Sequence, residues 1–115
     1  QDLMDAQRRV IGKLGEEAPY ISKTRILKLV MREPAKRFYV SFEEASRMLT
    51  RMEAGIEVNR KGIRYDMYVE LYKVLCRLRE ENPDLLWSDL IEQAVLSPAS
   101  GFFLDEDRAY KILKR

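Results

Sequence analysis

The segment PAKRFYVSFEEASRMLTR, residues 34–51, returns as PASGFFLDEDRAYKILKR at residues 98–115. Aligned without a gap, the two phrases share six identities: Pro34/Pro98, Ala35/Ala99, Phe38/Phe102, Ala45/Ala109, Leu49/Leu113 and Arg51/Arg115. Six further positions are chemically alike, among them Tyr39/Phe103, Val40/Leu104, Arg47/Lys111 and Met48/Ile112. At average residue usage, chance supplies about one identity over such a length. The match continues backward, with Ile26 aligned to Leu90, Leu27 to Ile91 and Met31 to Val95. A unit spanning about 22–51 is thus used again at about 86–115, offset by 64 positions.

Each copy reads as a helix, a Pro-Ala break, an aromatic extended triplet and a capped second helix. In the first copy, Ser22 caps KTRILKLVMRE, which carries Ile26, Leu27, Leu29 and Val30 on its inner side. Pro34 ends that helix because the residue before a proline is pushed out of the α region. RFYV is aromatic and β-branched, so it reads as a short extended piece with Phe38 and Val40 pointing one way and Tyr39 the other. Alternation predicts the same of Phe102, Leu104 and Phe103. Ser41 and Glu44 form an S-x-x-E capping box before FEEASRMLTRMEA, with Gly55 placed as its C-cap. In the second copy Pro98 closes DLLWSDLIEQAVL, and Asp105 caps EDRAYKILKR.

Outside the copies, Leu3, Ala6, Val10 and Leu14 make a helical stripe that Gly15 or Pro19 ends. IEVNRKGI is a loop with Asn59 and Gly62 as turn residues. A long helix, about 65–81, then carries Tyr68, Leu71, Tyr72, Leu75 and Leu78 on one buried face. Neither copy alone presents enough apolar surface to be stable, which favours packing the two together. The expectation is one all-α domain over residues 1–115 with five to six helices. Its two helix–PAxxF–helix repeats face each other about a pseudo-two-fold axis, braced by helix 65–81, with at most a minimal β pairing.

The chemistry on offer is narrow. The sequence has no histidine and a single cysteine, Cys76, which removes the commonest general base, the commonest metal ligand and any internal disulfide. The glycines, Gly12, Gly15, Gly55, Gly62 and Gly101, form neither a GxGxxG nor a P-loop pattern. No nucleophile–base pair stands out, so the chain reads as non-enzymatic, with no cofactor and no metal site. No apolar run approaches the roughly eighteen residues of a membrane span. A lone thiol fits a reducing, cytoplasmic setting.

Charge is the better guide. The net charge is only +2, but residues 1–64 hold fourteen Lys/Arg against nine Asp/Glu, while residues 65–115 hold seven against ten. From Lys23 to Arg37, six cations face Glu33 alone. Arg25, Lys28 and Arg32 share a helix face by i,i+3 and i,i+4 spacing, and Arg47 and Arg51 repeat that spacing on the next helix. With Lys36 and Arg37 in the break, these seven residues are the candidate phosphate contacts for DNA or RNA. The plainer reading is a solvated surface with some cations paired to Glu43, Glu44 and Glu53. A strict helix-turn-helix does not fit, since the Pro34–Ser41 link is too long and lacks glycine. Asp105, Glu106 and Asp107 make the second copy a poorer polyanion binder.

The aromatics divide similarly. Phe38, Tyr39, Phe102 and Phe103 read first as core residues joining the copies, and second as stacking platforms for bases. Tyr65, Tyr68 and Tyr72 form a stripe suited to the core or to a partner surface. Cys76 and Trp87 read as packing residues.

The pattern PA-x-x-F-Y-V-S-x-E-x-A, the tyrosine-rich helix and the second PA-x-x-F-F-L together resemble a group of small uncharacterised bacterial proteins from phage or mobile-element gene neighbourhoods. The resemblance covers about residues 20–115. It implies a nucleic-acid-linked or assembly role and assigns no catalytic residue or cofactor. The leading expectation is therefore a nucleic-acid-associated protein that uses the basic face of the first repeat. The alternative is a protein–protein adaptor or homodimer that uses apolar or aromatic surface on the long helix and binds no nucleic acid.

Overall fold

The computed structural model describes residues 1–56, 62–104 and 106–113. Asn59 and Asp105, assigned above to a turn and a cap, lie outside these. Six α-helices occupy the described residues: α1 (Asp2–Leu14), α2 (Lys23–Met31), α3 (Phe42–Glu53), α4 (Ile63–Glu81), α5 (Trp87–Val95) and α6 (Glu106–Leu113). A 3-10 segment, Gly15–Tyr20, follows α1. The fold is all-α, as the sequence predicts. Among the described residues there is no strand, only isolated bridge residues at Ala35 and Ala99 in the two breaks.

The helix ends follow the local chemistry. Gly15, at φ 56°, stops α1 in a left-handed conformation that suits glycine. The Ser22 hydroxyl accepts from the Arg25 N–H at 3.2 Å, and the Ser41 hydroxyl from the Glu44 N–H at 3.1 Å. The reciprocal half of the expected capping box is absent among the described residues. The Glu44 carboxylate instead binds Tyr68 and Arg64 on α4, where it meets two donors rather than one. At the other end of α3, Ala54 is the C-cap and Gly55 follows it at φ 75°. The Gly55 N–H donates to the Met52 carbonyl at 3.1 Å and the Ile56 N–H to the Arg51 carbonyl at 2.9 Å, which is a Schellman closure.

The first halves of the two copies share backbone bonds at the 64-residue offset, although the C-cap N–H of Arg32 reaches the Leu29 carbonyl and that of Leu96 the Glu92 carbonyl, which is not its equivalent. Ile26 N–H donates to Ser22 O, and Leu90 N–H to Leu86 O, both at 3.0 Å. Glu33 N–H donates to Val30 O at 3.0 Å, and Ser97 N–H to Ala94 O at 3.1 Å. The C-caps Arg32 (φ −88°, ψ −9°) and Leu96 (φ −82°, ψ −3°) are nearly identical. Leu27/Ile91, Val30/Ala94, Ala35/Ala99 and Phe38/Phe102 are buried in pairs.

The triplets then diverge. In the first copy Phe38 and Val40 are buried and Tyr39 is exposed, so the expected alternation holds. Val40 N–H donates back to the Phe38 carbonyl at 3.1 Å, a three-residue turn with Tyr39 at its apex. In the second copy Phe103 adopts φ 53°, which is uncommon for a bulky side chain and breaks the extended path. Phe102 is buried there, but Phe103 and Leu104 are both half-buried rather than alternating.

The chain forms two compact units, one of residues 1–35 with 100–115 and the other of residues 36–99. In the first, α1 packs along α2, and α6 lies against α2 and α1. Leu3, Ala6, Val10, Leu27 and Val30 are buried there, while Arg9 and Lys13 reach Glu33 at 3.4 and 3.3 Å and tie α1 to the end of α2. Gly101 belongs to this unit, and a Cβ on it would stand 3.0 Å from the Met31 carbonyl oxygen. That close approach explains a glycine where the first copy has Arg37.

In the second unit α5 packs on α4 and α3, and α3 also meets α4. Leu49, Met67, Leu71, Leu75 and Ile91 are fully buried, and the Phe38 N–H donates to the Val95 carbonyl at 2.9 Å. The units do not coincide with the copies. The chain leaves the first unit after Ala35 and returns to it after Ala99, at equivalent positions of the repeat. Each unit thus joins the first helix of one copy to the second helix of the other, α2 with α6 and α5 with α3.

Candidate nucleic-acid interface

The seven basic residues fall on both units. On the first, Arg25 and Lys28 of α2 and Arg32 at its C-cap are exposed along one side, opposite the buried Leu27 and Val30. Seven residues of helix separate Arg25 from Arg32, about 10 Å of rise. On the second unit, Lys36 is exposed and Arg37 half-buried in the break. Arg47 and Arg51 are exposed one turn apart on α3, opposite Ala45 and Leu49.

Their electrostatic circumstances differ. Elsewhere cations are committed to carboxylates: Arg9 and Lys13 to Glu33, Arg64 to Glu44 at 3.0 Å, and Arg79 to Glu53 at 2.8 Å. Among the described residues no carboxylate lies at ion-pair distance from Arg25, Arg32, Arg47 or Arg51. Of Glu43, Glu44 and Glu53, the carboxylates expected to pair with some of these cations, Glu44 and Glu53 turn to α4 instead. Glu44 still feels the charge of Arg47 at longer range. Lys28 and Lys36 take part in further interactions of the fold. Arg37 donates from Nε to the Phe38 carbonyl at 3.2 Å and lays its guanidinium 5.7 Å from the centre of the Tyr39 ring.

A polar seam between α3 and α4 was not anticipated from the sequence. The Tyr68 hydroxyl donates to Glu44 at 2.7 Å, Arg64 donates to the same oxygen at 3.0 Å, and Arg64 also donates to the Tyr68 oxygen at 3.3 Å. The Tyr68 bond, with help from Arg64, holds the Glu44 carboxyl below its usual range against the cost of burial. A turn further along, Glu53 accepts from both Arg79 and the Tyr72 hydroxyl. That bond to Glu53 is the main cause that pushes the Tyr72 phenol up to about 12, and Arg79, chiefly, holds Glu53 down. Trp87 closes the row, donating from Nε1 to Thr50 at 3.1 Å with Arg79 5.9 Å from its ring centre. The Arg64–Tyr68 spacing of four residues was the available signal, but the partner carboxylates lie 19 to 26 residues away in the chain.

This seam uses the tyrosine stripe of α4. Tyr68 is buried, and the hydroxyls of Tyr68 and Tyr72 are bonded to α3, so these two residues serve the α3–α4 contact. Cys76 is half-buried with its sulfur 3.7 Å from Arg79 Nη2. Among the described residues no cluster of His, Cys, Asp and Glu is placed to hold a metal ion. No helix of the described residues is long and apolar enough to cross a membrane.

Compared with known protein families, curated proteins and solved structures, the chain matches none.

Proposed function

We propose that this is a non-enzymatic nucleic-acid-associated protein that binds phosphates through Arg25, Lys28 and Arg32 on α2 and through Lys36, Arg37, Arg47 and Arg51 in the second unit. The observation that carries this reading is the set of four exposed arginines, Arg25, Arg32, Arg47 and Arg51, with no carboxylate at ion-pair distance among the described residues. A guanidinium offers paired donors to a phosphate, and each phosphate it neutralises releases condensed counterions. Cations one turn apart on a helix stand about 5–6 Å from each other, comparable to the phosphate spacing of an extended strand. No Asn or Gln occurs among the seven residues to read an adenine edge, so the contacts are largely indifferent to sequence, apart from arginine's affinity for guanine. A cytoplasmic setting and the mobile-element context implied by the duplicated motif are compatible with this role.

The test is a pair of double variants, Arg25→Ala with Arg32→Ala and Arg47→Ala with Arg51→Ala. These side chains are exposed, so stability should stay within about 0.5 kcal/mol of the parent. Each pair should reduce the slope of log K against log salt by about 1.4 to 1.8, two contacts at about 0.7 to 0.9 apiece. An unchanged slope in both variants would remove these residues from the interface.

The second reading, a protein–protein adaptor or homodimer, draws on Leu86 and Leu96 at the two ends of α5, exposed at 69% and 55%. Apolar association of that kind should hold or tighten as salt is added.

A further inference from the structure

We infer that Tyr39 is a stacking platform for an unpaired base, which makes the preferred nucleic acid single-stranded. The inference rests on the nucleic-acid reading above and deepens it. Tyr39 is 43% exposed, although its neighbours on both sides, Phe38 and Val40, are buried at 1% and 7%. The turn bond from Val40 N–H to the Phe38 carbonyl fixes the backbone at its apex. Arg37 is tethered to the same carbonyl and lies over the ring. The flanking anchors therefore hold an aromatic ring at the surface, so a ligand that stacks on it meets little loss of chain freedom.

The surroundings suit a nucleotide. Arg37 stacked on an aromatic face strengthens a platform for bases, and Lys36 is exposed beside it. Arg47 and Arg51, on the helix that follows, belong to the same compact unit. Phe42, the first residue of α3, is a further exposed ring three positions on. Duplex bases have their faces covered by their neighbours, whereas a single strand can offer one.

The duplication supplies an internal comparison. At the equivalent places the second copy has Ser100 and Gly101 instead of Lys36 and Arg37. Its ring, Phe103, is half-buried on left-handed backbone. The second break keeps the buried anchor, Phe102, and loses both cations and the exposed ring. Shared features of the break thus serve the fold, and the features found only in the first copy are the ones suited to a ligand.

The experiment compares Tyr39→Ala and Tyr39→Phe with the parent by fluorescence anisotropy. Its probes are a labelled oligothymidylate single strand, a DNA duplex of equal length and dextran sulfate, a polyanion without bases. Tyr39→Ala should bind the single strand about tenfold more weakly, as expected for the loss of one stacked base. Its affinity for the duplex and dextran sulfate, and its salt slope, should be unchanged, because stacking releases no counterions. Tyr39→Phe should keep the parent's single-strand affinity, since the ring is retained. If Tyr39→Ala binds the single strand like the parent, or weakens on all three probes alike, the platform is overturned while phosphate binding stands. If the parent binds none of the probes at low salt, the nucleic-acid reading fails and takes this inference with it.

Discussion

Replacing Phe38 with alanine should lower the unfolding free energy by about 3–5 kcal/mol, read from chemical denaturation. The ring is 1% exposed, and its backbone N–H bonds the Val95 carbonyl at 2.9 Å, so the residue is fixed in place while its side chain fills the interior. Truncation removes the transfer free energy of a phenyl group and leaves a cavity that fixed neighbours close only in part. Phe102→Ala should cost a similar amount, because Phe102 is buried at the equivalent position, at 3%. Tyr39→Ala, one residue away but exposed, should change stability by no more than about 0.5 kcal/mol. A loss below about 1 kcal/mol for Phe38→Ala would mean that the ring does not anchor the break.

Peptides cut by structure and peptides cut by repeat should behave in opposite ways. Residues 36–99 carry α3, α4 and α5 with their mutual contacts, so this peptide should keep most of its helicity and unfold cooperatively by circular dichroism. Residues 86–115 form one complete copy by sequence, yet α5 and α6 belong to different units. Each of these helices has fewer than ten residues, below the roughly 12–15 that an isolated helix needs to persist in water. That peptide should lose most of its helical signal. A cooperative transition in 86–115, or none in 36–99, would contradict the exchange of helices between copies.

What could be read from the sequence, and what could not, divides by the range of the interaction. Ser22, Ser41, Gly15 and Gly55 act within a few residues of themselves, and the helix ends they predict are found. Periodicity, which is also local, found Leu3, Ala6 and Val10 of α1 and Tyr68, Leu71 and Leu75 of α4, whereas Leu14, Tyr72 and Leu78 are half-buried and the buried Met67 and Val74 were missed. Matching copies predicted matching breaks, and burial of Ala35, Phe38, Ala99 and Phe102 agrees. Which helix packs on which did not follow, because an internal repeat is equally compatible with helices paired within a copy and helices exchanged between copies. The divergence at Phe103, on left-handed backbone two residues after Gly101, did not follow from the matching sequences.

Among the candidate site residues, Arg25 and Lys28 fall on α2 with Arg32 at its C-cap, and Arg47 and Arg51 on α3, all of them exposed. Sequence proximity suggested the wrong partners for Glu44 and Glu53. Both sit near the α3 arginines in the chain, but α4 brings Arg64, Tyr68, Tyr72 and Arg79 to them with better geometry. That competition is tertiary, and it leaves Arg47 and Arg51 without an ion-pair partner among the described residues.

The most direct test of the functional account is a titration of the unmodified protein against a labelled single strand and a labelled duplex over a series of salt concentrations. Binding is expected at low salt and should weaken linearly on a log–log plot, with a slope for the single strand of about −5 if all seven basic residues meet a phosphate, at about 0.7 apiece. No binding to either nucleic acid at low ionic strength, or an affinity indifferent to salt, would contradict that account.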